Sequence, residues 1–185
     1  MSKLLNEHAK GVYIIAATPF FDDDSIDYDS LDRLTDFYLE KGVSGITILG
    51  MMGEAQKLSP DESKNVMNRV IKRVDGRVPV IVGVSNPDIK KLIKLSNSAM
   101  AAGAAGIMVA PNSSHHNDET IFNYYVEVDK ALESKIPMIY QDFPLVTKAP
   151  ISLDCLMRII REIPQVGMLK HEDWPGLEKL SELRS

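Results

Sequence analysis

Cysteine, basic charge and long apolar runs are all scarce in this 185-residue sequence. Cys155 is the only cysteine, so no disulfide can form within the chain, and its helical apolar surroundings predict a buried side chain. The formal net charge is -5, without a basic patch, which argues against nucleic acid or anionic membranes as partners. No run reaches the ~18 apolar residues of a membrane span, and a secretory signal is also missing. These absences predict a cytoplasmic protein that acts on a small molecule.

Six short apolar runs alternate along the chain with longer amphipathic segments. Most of the runs are almost continuously apolar, which is typical of parallel strands covered on both faces. The strands are predicted at Val12–Thr18, Gly45–Gly50, Val78–Val84, Ala105–Ala110, Ile136–Gln141 and Gln165–Lys170. Between them, "LSPDES" predicts a helix start with a capping box from Ser59 to Glu62, and Ser152 is a second predicted cap. Repeated strand–helix units predict an α/β protein with a parallel sheet.

Two architectures fit this repeat: an open doubly wound sheet and a closed eight-stranded barrel. The segment after the first strand reads "ATPFFDDDSIDYD" and has no G-x-G-x-x-G turn, so the dinucleotide-binding form of the open sheet loses its best support. A barrel needs about eight strands and typically ~250 residues. The chain is roughly two βα units short of that length.

Reactive side chains in parallel α/β folds gather at the carboxyl ends of strands, and here two neighbouring strands end in Tyr140 and Lys170. Strict alternation places each residue on the same face as the methionine two positions earlier, so the phenol and the amine are predicted to share one face. An uncharged lysine amine can attack a ketone and form an iminium. From the residues alone, two other readings stay open: Lys170 as a strand-end lysine that reaches solvent or pairs with Glu172 or Asp173, and Tyr140 as a core aromatic with a satisfied hydroxyl.

Six motifs in order resemble those of one known family: "ATPF", "GMMGE", "VPVIVGV", "APN", the tyrosine of "YQDFP" and the lysine of "GMLKHED". The sequence resembles the dihydrodipicolinate synthase and N-acetylneuraminate lyase family of pyruvate-dependent class I aldolases. The resemblance implies a (β/α)₈ TIM barrel, here apparently truncated after about six βα units. Residues 1–185 are then expected to form a single aldolase-type barrel domain whose C-terminal part is missing.

The resemblance also implies roles for individual residues. Lys170 corresponds to the Schiff-base lysine, and Tyr140 corresponds to the tyrosine that shuttles protons. The turn after the second strand, called the GMMGE turn, would bind the carboxylate of a 2-oxo acid such as pyruvate through its N–H groups. It comprises Gly50, Met51, Met52, Gly53 and Glu54. No metal or organic cofactor is expected, and a homo-oligomer, usually a tetramer in the family, is expected.

The sequence departs from the family pattern at three places. Two hydroxyl residues of the turn are replaced by the thioethers of Met51 and Met52. The segment directly after the proline that follows the fourth strand has no second tyrosine, and Ser113 or a water is the candidate replacement. The segment "YQDFPLVTKAP" that begins at Tyr140 contains no arginine, and its first cation is Lys148, which cannot form a bidentate fork. These changes leave two alternatives: a lyase with a rebuilt proton relay, and a catalytically impaired member that binds a small acid without turnover.

Overall fold

The computed structural model describes residues 4–132 and 136–184 of the chain. Six strands lie in one sheet in sequential order, and each prediction of a strand is confirmed. The strands are β1 (Tyr13–Ile15), β2 (Gly45–Ile48), β3 (Val80–Gly83), β4 (Gly106–Val109), β5 (Met138–Asp142) and β6 (Val166–His171). β1 pairs with β2, β2 with β3 and β5 with β6, all in parallel. The four residues of β2, β3 and β4 are all buried, as expected for strands covered on both faces.

Helices fill the intervals between the strands and follow the last strand. They are α1 (Tyr28–Glu40), α2 (Pro60–Val74), α3 (Ile89–Ala102), α4 (Asp118–Leu132), α5 (Pro144–Thr147), α6 (Leu153–Glu162) and α7 (Gly176–Arg184). The predicted capping box of α2 is present: the Ser59 side chain accepts from the Glu62 N–H, and the Glu62 carboxylate accepts from the Ser59 N–H. Ser152 caps α6 by accepting from the Cys155 N–H, as predicted. Among the described residues, no helix combines the length and the apolar character that a membrane span requires.

The chain divides into two compact units. Unit 1 comprises Met1–Val84 and Lys94–Ile107, and unit 2 comprises Ser85–Ile93 and Met108–Ser185. The grouping of residues 1–185 in one domain stays a prediction.

Unit 1 is built on the packing of α1 and α2 over the first strands. Val66, Met67 and Val70 of α2 are almost fully buried, together with Ile46 of β2 and Ile81 of β3. Ion pairs join the exposed sides of the two helices, with Arg69 on Asp32 and Arg73 on both Asp32 and Asp36. Apolar burial is the main stabilising contribution in this unit, and the partly exposed ion pairs add little to it.

Unit 2 has its core between the helices and the end of the sheet. Its largest fully buried side chains include Tyr125, Met138, Tyr140 and Leu156. Cys155 is buried, as predicted, and its thiol donates to the Asp118 carbonyl oxygen over 3.3 Å. This core surrounds the strands that carry Tyr140 and Lys170.

Candidate active site

The register between β5 and β6 contains a one-residue irregularity at Gly167. Met138 pairs with Val166, but the next residue, Ile139, pairs with Met168, so Gly167 is an extra residue in β6. An extra residue of this kind is a β-bulge, and glycine in a strand interior often marks one. From Met168 onward, every side chain of β6 therefore changes its face relative to β5.

The bulge separates Tyr140 from Lys170. Tyr140 lies opposite Leu169, and Lys170 lies opposite Gln141. Residues paired across parallel strands share a face, whereas consecutive residues alternate. The prediction that Tyr140 and Lys170 share one face is therefore wrong, because strict alternation does not continue through a bulged strand. The residue that shares the face of Lys170 is Gln141.

Tyr140 lies in a fully buried aromatic stack on the helix-covered face of the sheet. Its ring stacks on Tyr125 of α4, with centroids 4.8 Å apart and an interplanar angle of 25°. Tyr125 donates to the Val109 carbonyl oxygen over 2.7 Å, but the Tyr140 hydroxyl has no hydrogen-bond partner among the described residues. Burial, followed by the nearby charge of Asp142, raises the pKa of Tyr140 far above the ordinary range of a phenol. A phenol in this position releases its proton with difficulty.

Lys170 lies in a polar cluster with Gln141 and Glu172. Its Nζ donates to Glu172 Oε2 over 2.5 Å, and the same oxygen accepts a hydrogen bond from Gln141 Nε2 over 2.8 Å. The side chain of Lys170 is 23% exposed and that of Glu172 is 31% exposed, so solvent or a small molecule has access to the cluster. The pairing of Lys170 with Glu172 was one of the readings left open by the sequence. Gln141 was missed, and Gly167 within an apolar run was the signal that indicated the register change.

The helix-covered face carries a second polar cluster, around Asp142. The Asp142 side chain is fully buried, and its Oδ2 accepts from Lys179 Nζ over 2.8 Å and lies 2.9 Å from His171 Nδ1. Lys179 also donates to Asp173 Oδ2 and to the Ile151 carbonyl oxygen. Because Lys179 belongs to α7, these contacts join that helix to β5 and β6. His171 therefore packs on the helix side, away from Lys170.

The GMMGE turn belongs to unit 1 and keeps three N–H groups available. Gly53 donates to the Gly50 carbonyl oxygen and Glu54 to that of Met51, so these two N–H groups are used within the turn. The N–H groups of Gly50, Met51 and Met52 donate to no acceptor in the part of the chain that the structure describes. The Met52 side chain is 64% exposed. Three unpaired N–H groups in consecutive residues are suited to binding an anion.

Close backbone contacts hold the GMMGE turn in an unusual conformation. Leu49, which precedes the turn, and Glu54, its last residue, have left-handed φ angles of 54° and 53°. A Cβ on Gly83 would lie 2.1 Å from the Leu49 carbonyl oxygen, so only glycine fits there. Thr18 adds a hydrogen bond of 2.7 Å from its hydroxyl to the Gly53 carbonyl oxygen. Backbone strain of this kind persists where surrounding contacts enforce it, often at functional sites.

The loop after β4 carries Ser113 and two histidines. Ser113 and His116 are exposed, whereas the His115 ring lies 4.3 Å from the Tyr124 ring, centroid to centroid. His115 Nδ1 accepts from the Asn112 N–H, and burial lowers the pKa of this histidine. Within residues 4–132 and 136–184, no group of three or more His, Cys, Asp or Glu side chains is arranged to hold a metal ion.

Sequential strands with alternating helices are typical of a (β/α) barrel, and Lys170 lies near the end of the sixth strand. Comparisons with known proteins identify the family. The model of the Dihydrodipicolinate synthetase family matches residues 8–174. A 4-hydroxy-tetrahydrodipicolinate synthase from Sorangium cellulosum is 34% identical over 162 residues, which are 86% of this chain and 53% of the relative. One from Phocaeicola vulgatus is 27% identical over 168 residues, or 90% of this chain and 56% of the relative.

Solved structures agree with the family match. The crystal structure of a dihydrodipicolinate synthase from Rhodopseudomonas palustris matches with a TM-score of 0.94 and 44% identity. The match covers 99% of this chain and 60% of the Rhodopseudomonas chain. The structure of an N-acetylneuraminate lyase from Mycoplasma synoviae matches with a TM-score of 0.83 and 26% identity, over 95% of this chain and 58% of the lyase chain. The chain belongs to the dihydrodipicolinate synthetase family, and its six strands with alternating helices correspond to part of a (β/α)₈ barrel. It spans about half the length of the curated relatives it matches.

Proposed function

We propose that the protein is a Schiff-base-forming lyase that acts on pyruvate or a related 2-oxo acid, with Lys170 as its nucleophile. The observation that carries this proposal is the placement of Lys170: it lies near the carboxyl end of β6, partly buried, on the face opposite the buried tyrosines. In βα barrels, reacting groups collect at the carboxyl ends of the strands. Family membership supports the same assignment, since the matched relatives are named as a synthase and a lyase.

The proposed chemistry begins with a covalent bond between Lys170 and the oxo carbon of the substrate. The resulting iminium withdraws electrons from the adjacent carbon, so a carbon–carbon bond or a carbon–oxygen bond next to it can be made or broken. This covers aldol cleavage, aldol condensation and dehydration. The chemistry calls for no metal or organic cofactor.

By family resemblance, we propose that the GMMGE turn binds the carboxylate of a 2-oxo acid. The free N–H groups of Gly50, Met51 and Met52 support this role. In an isotope-labelled protein, pyruvate should shift the backbone amide signals of these three residues more than those of Gly53 and Glu54. Unmoved signals at saturating pyruvate would contradict it. Ser113 stays a candidate for a further substrate contact.

The experiment that tests the function is borohydride reduction in the presence of pyruvate. Reduction should fix one pyruvate on the protein, with loss of one water and gain of two hydrogens, and peptide mapping should place it on Lys170. Lys170→Arg should abolish the adduct, because the guanidinium of arginine stays protonated and has no free amine lone pair to attack the carbonyl carbon. Lys148→Arg, at an exposed lysine, is the matched control and should be labelled like the wild type. Labelling that persists in Lys170→Arg would refute the assignment.

A second candidate function is binding of a small acid without turnover. Two observations favour it: the Tyr140 hydroxyl lies on the face away from Lys170, and Met51 and Met52 have no hydroxyl to relay protons. A folded protein that binds pyruvate by calorimetry but acquires no adduct would support the binder. An adduct at Lys170 would support the lyase.

Assembly and location extend the proposal. By family resemblance we expect a homo-oligomer, of the tetrameric type, and a cytoplasmic location. Sedimentation equilibrium gives the mass of the assembly directly, and a monomer at micromolar concentration would contradict the first expectation. Fractionation of the source cells tests the second.

A further inference from the structure

We propose that Glu172 is the acid–base residue that moves protons while Lys170 forms its Schiff base, and that Gln141 positions it. The inference rests on the proposed function, because it assigns the proton relay of the same reaction. It replaces the role expected of Tyr140, whose hydroxyl lies on the other face of the sheet.

The geometry places a carboxylate directly on the attacking atom. Lys170 must lose a proton before its nitrogen can attack, and Glu172 Oε2 lies 2.5 Å from that nitrogen. A general base must be within hydrogen-bond reach of the proton it removes, and Glu172 meets this requirement. Tyr140 does not, since it stacks on Tyr125 and burial raises the pKa of its hydroxyl.

The two oxygens of Glu172 have different surroundings. Oε2 accepts hydrogen bonds from both Lys170 and Gln141, whereas no described residue donates to Oε1. The Gln141 amide therefore fixes the carboxylate on the lysine and leaves the second oxygen available to the substrate. Gln141 contacts the carboxylate rather than the reacting atoms, so it is a positioning residue.

The proton movements balance with this one carboxylate. Glu172 takes a proton from the Lys170 ammonium, and the neutral amine forms the C–N bond as the carbonyl π bond breaks. Glu172 then gives its proton to the new alkoxide and takes one from the nitrogen, which yields the neutral carbinolamine. Finally the nitrogen lone pair expels the hydroxyl group, which takes the proton from Glu172 and leaves as water. The products are an iminium on Lys170, one water and an ionised Glu172.

The test is the rate at which pyruvate becomes reducible onto Lys170, measured by rapid mixing with borohydride and mass spectrometry of the intact protein. Glu172→Gln keeps the size of the side chain but cannot accept a proton, and it should slow the reaction by about 10²- to 10⁴-fold. Glu172→Asp keeps the carboxylate and should recover part of the rate. Glu178→Gln, at an exposed position of α7, is the matched control and should react like the wild type.

Two further readouts separate proton transfer from simple support of the lysine. Added acetate should accelerate Glu172→Ala, because a small carboxylate can enter the vacated space and accept the proton, while the wild type should be unaffected. Gln141→Leu alone should slow labelling by about fivefold relative to the wild type, the effect of one lost hydrogen bond. Combined with Glu172→Gln, it should slow labelling no further than Glu172→Gln does alone.

The outcomes distinguish this inference from the proposed function. A wild-type protein that is never labelled would overturn the proposed function itself. A labelled wild type with Glu172→Gln equally fast would overturn only the role of Glu172. A slow Glu172→Gln with neither recovery in Glu172→Asp nor acceleration of Glu172→Ala by acetate would also overturn it, because the carboxylate would then serve only to hold Lys170.

Discussion

Tyr140→Phe distinguishes the observed geometry from the role that family resemblance implies for this tyrosine. The substitution removes one hydroxyl that is buried and has no hydrogen-bond partner among the described residues. A buried unsatisfied polar group costs about 1–3 kcal/mol, so Tyr140→Phe should leave the free energy of unfolding unchanged or raise it by about 1 kcal/mol. The rate of pyruvate labelling at Lys170 should stay within about twofold of the wild type, since the hydroxyl lies on the opposite face.

Tyr125→Phe is the matched control, because the two rings stack on each other and are equally buried. Its hydroxyl donates to the Val109 carbonyl oxygen over 2.7 Å, so its removal should lower the free energy of unfolding by about 1 kcal/mol. Urea unfolding of the two variants, with unchanged m values, measures the contrast. The reasoning is refuted if Tyr140→Phe loses more than 1 kcal/mol of stability or slows labelling about 100-fold, the effect of removing an acid–base group.

Three further substitutions test how the fold supports the site. Gly83→Ala should lower the free energy of unfolding by about 1–3 kcal/mol, because its Cβ would lie 2.1 Å from a backbone carbonyl oxygen. Lys179→Met should lower it by about 3 kcal/mol, because it removes a cation from the fully buried carboxylate of Asp142. The hydrogen bond from Arg73 lowers the pKa of Asp36. The stabilisation of the folded protein by this pair is therefore present above the ordinary carboxyl pKa and is lost as pH falls through the lowered pKa. Asp36→Asn should make the acid-side loss of stability in urea titrations smaller by the contribution of Asp36.

Two controls accompany these substitutions. Gly167→Ala should leave stability within about 1 kcal/mol, because nothing lies within 4 Å of its added Cβ. Lys148→Met, at an exposed lysine, should have an effect below about 0.5 kcal/mol. An unchanged free energy of unfolding in Gly83→Ala or in Lys179→Met would contradict the role given to the contact that the substitution changes. An unchanged acid-side loss of stability in Asp36→Asn would contradict the role of its pairing with Arg73.

The strands and helix starts were predictable because their signals are local. The apolar runs gave all six strands, and Ser59 and Ser152 marked helix starts through side-chain bonds to residues three positions away. Individual strand ends differ from the predictions by up to three residues, since pairing decides where a strand stops and pairing is not local.

The faces of the last two strands could not be read from alternation. Gly167 adds one residue to β6, and a one-residue change reverses the face of every side chain beyond it. Alternation therefore predicts that Tyr140 shares a face with Lys170, although Gln141 is the residue that lies opposite the lysine. The pairing of Lys170 with Glu172 was recognisable from their spacing, but their convergence with Gln141 depends on the register between strands, which local pattern does not specify.

Peptide mapping of the protein after borohydride reduction with pyruvate, performed side by side on the wild type, Tyr140→Phe and Glu172→Gln, tests the central claim most directly. We predict an adduct on Lys170 that forms equally fast in the wild type and Tyr140→Phe and far more slowly in Glu172→Gln. An adduct on another residue, or one whose formation depends on Tyr140 and is indifferent to Glu172, would contradict the account.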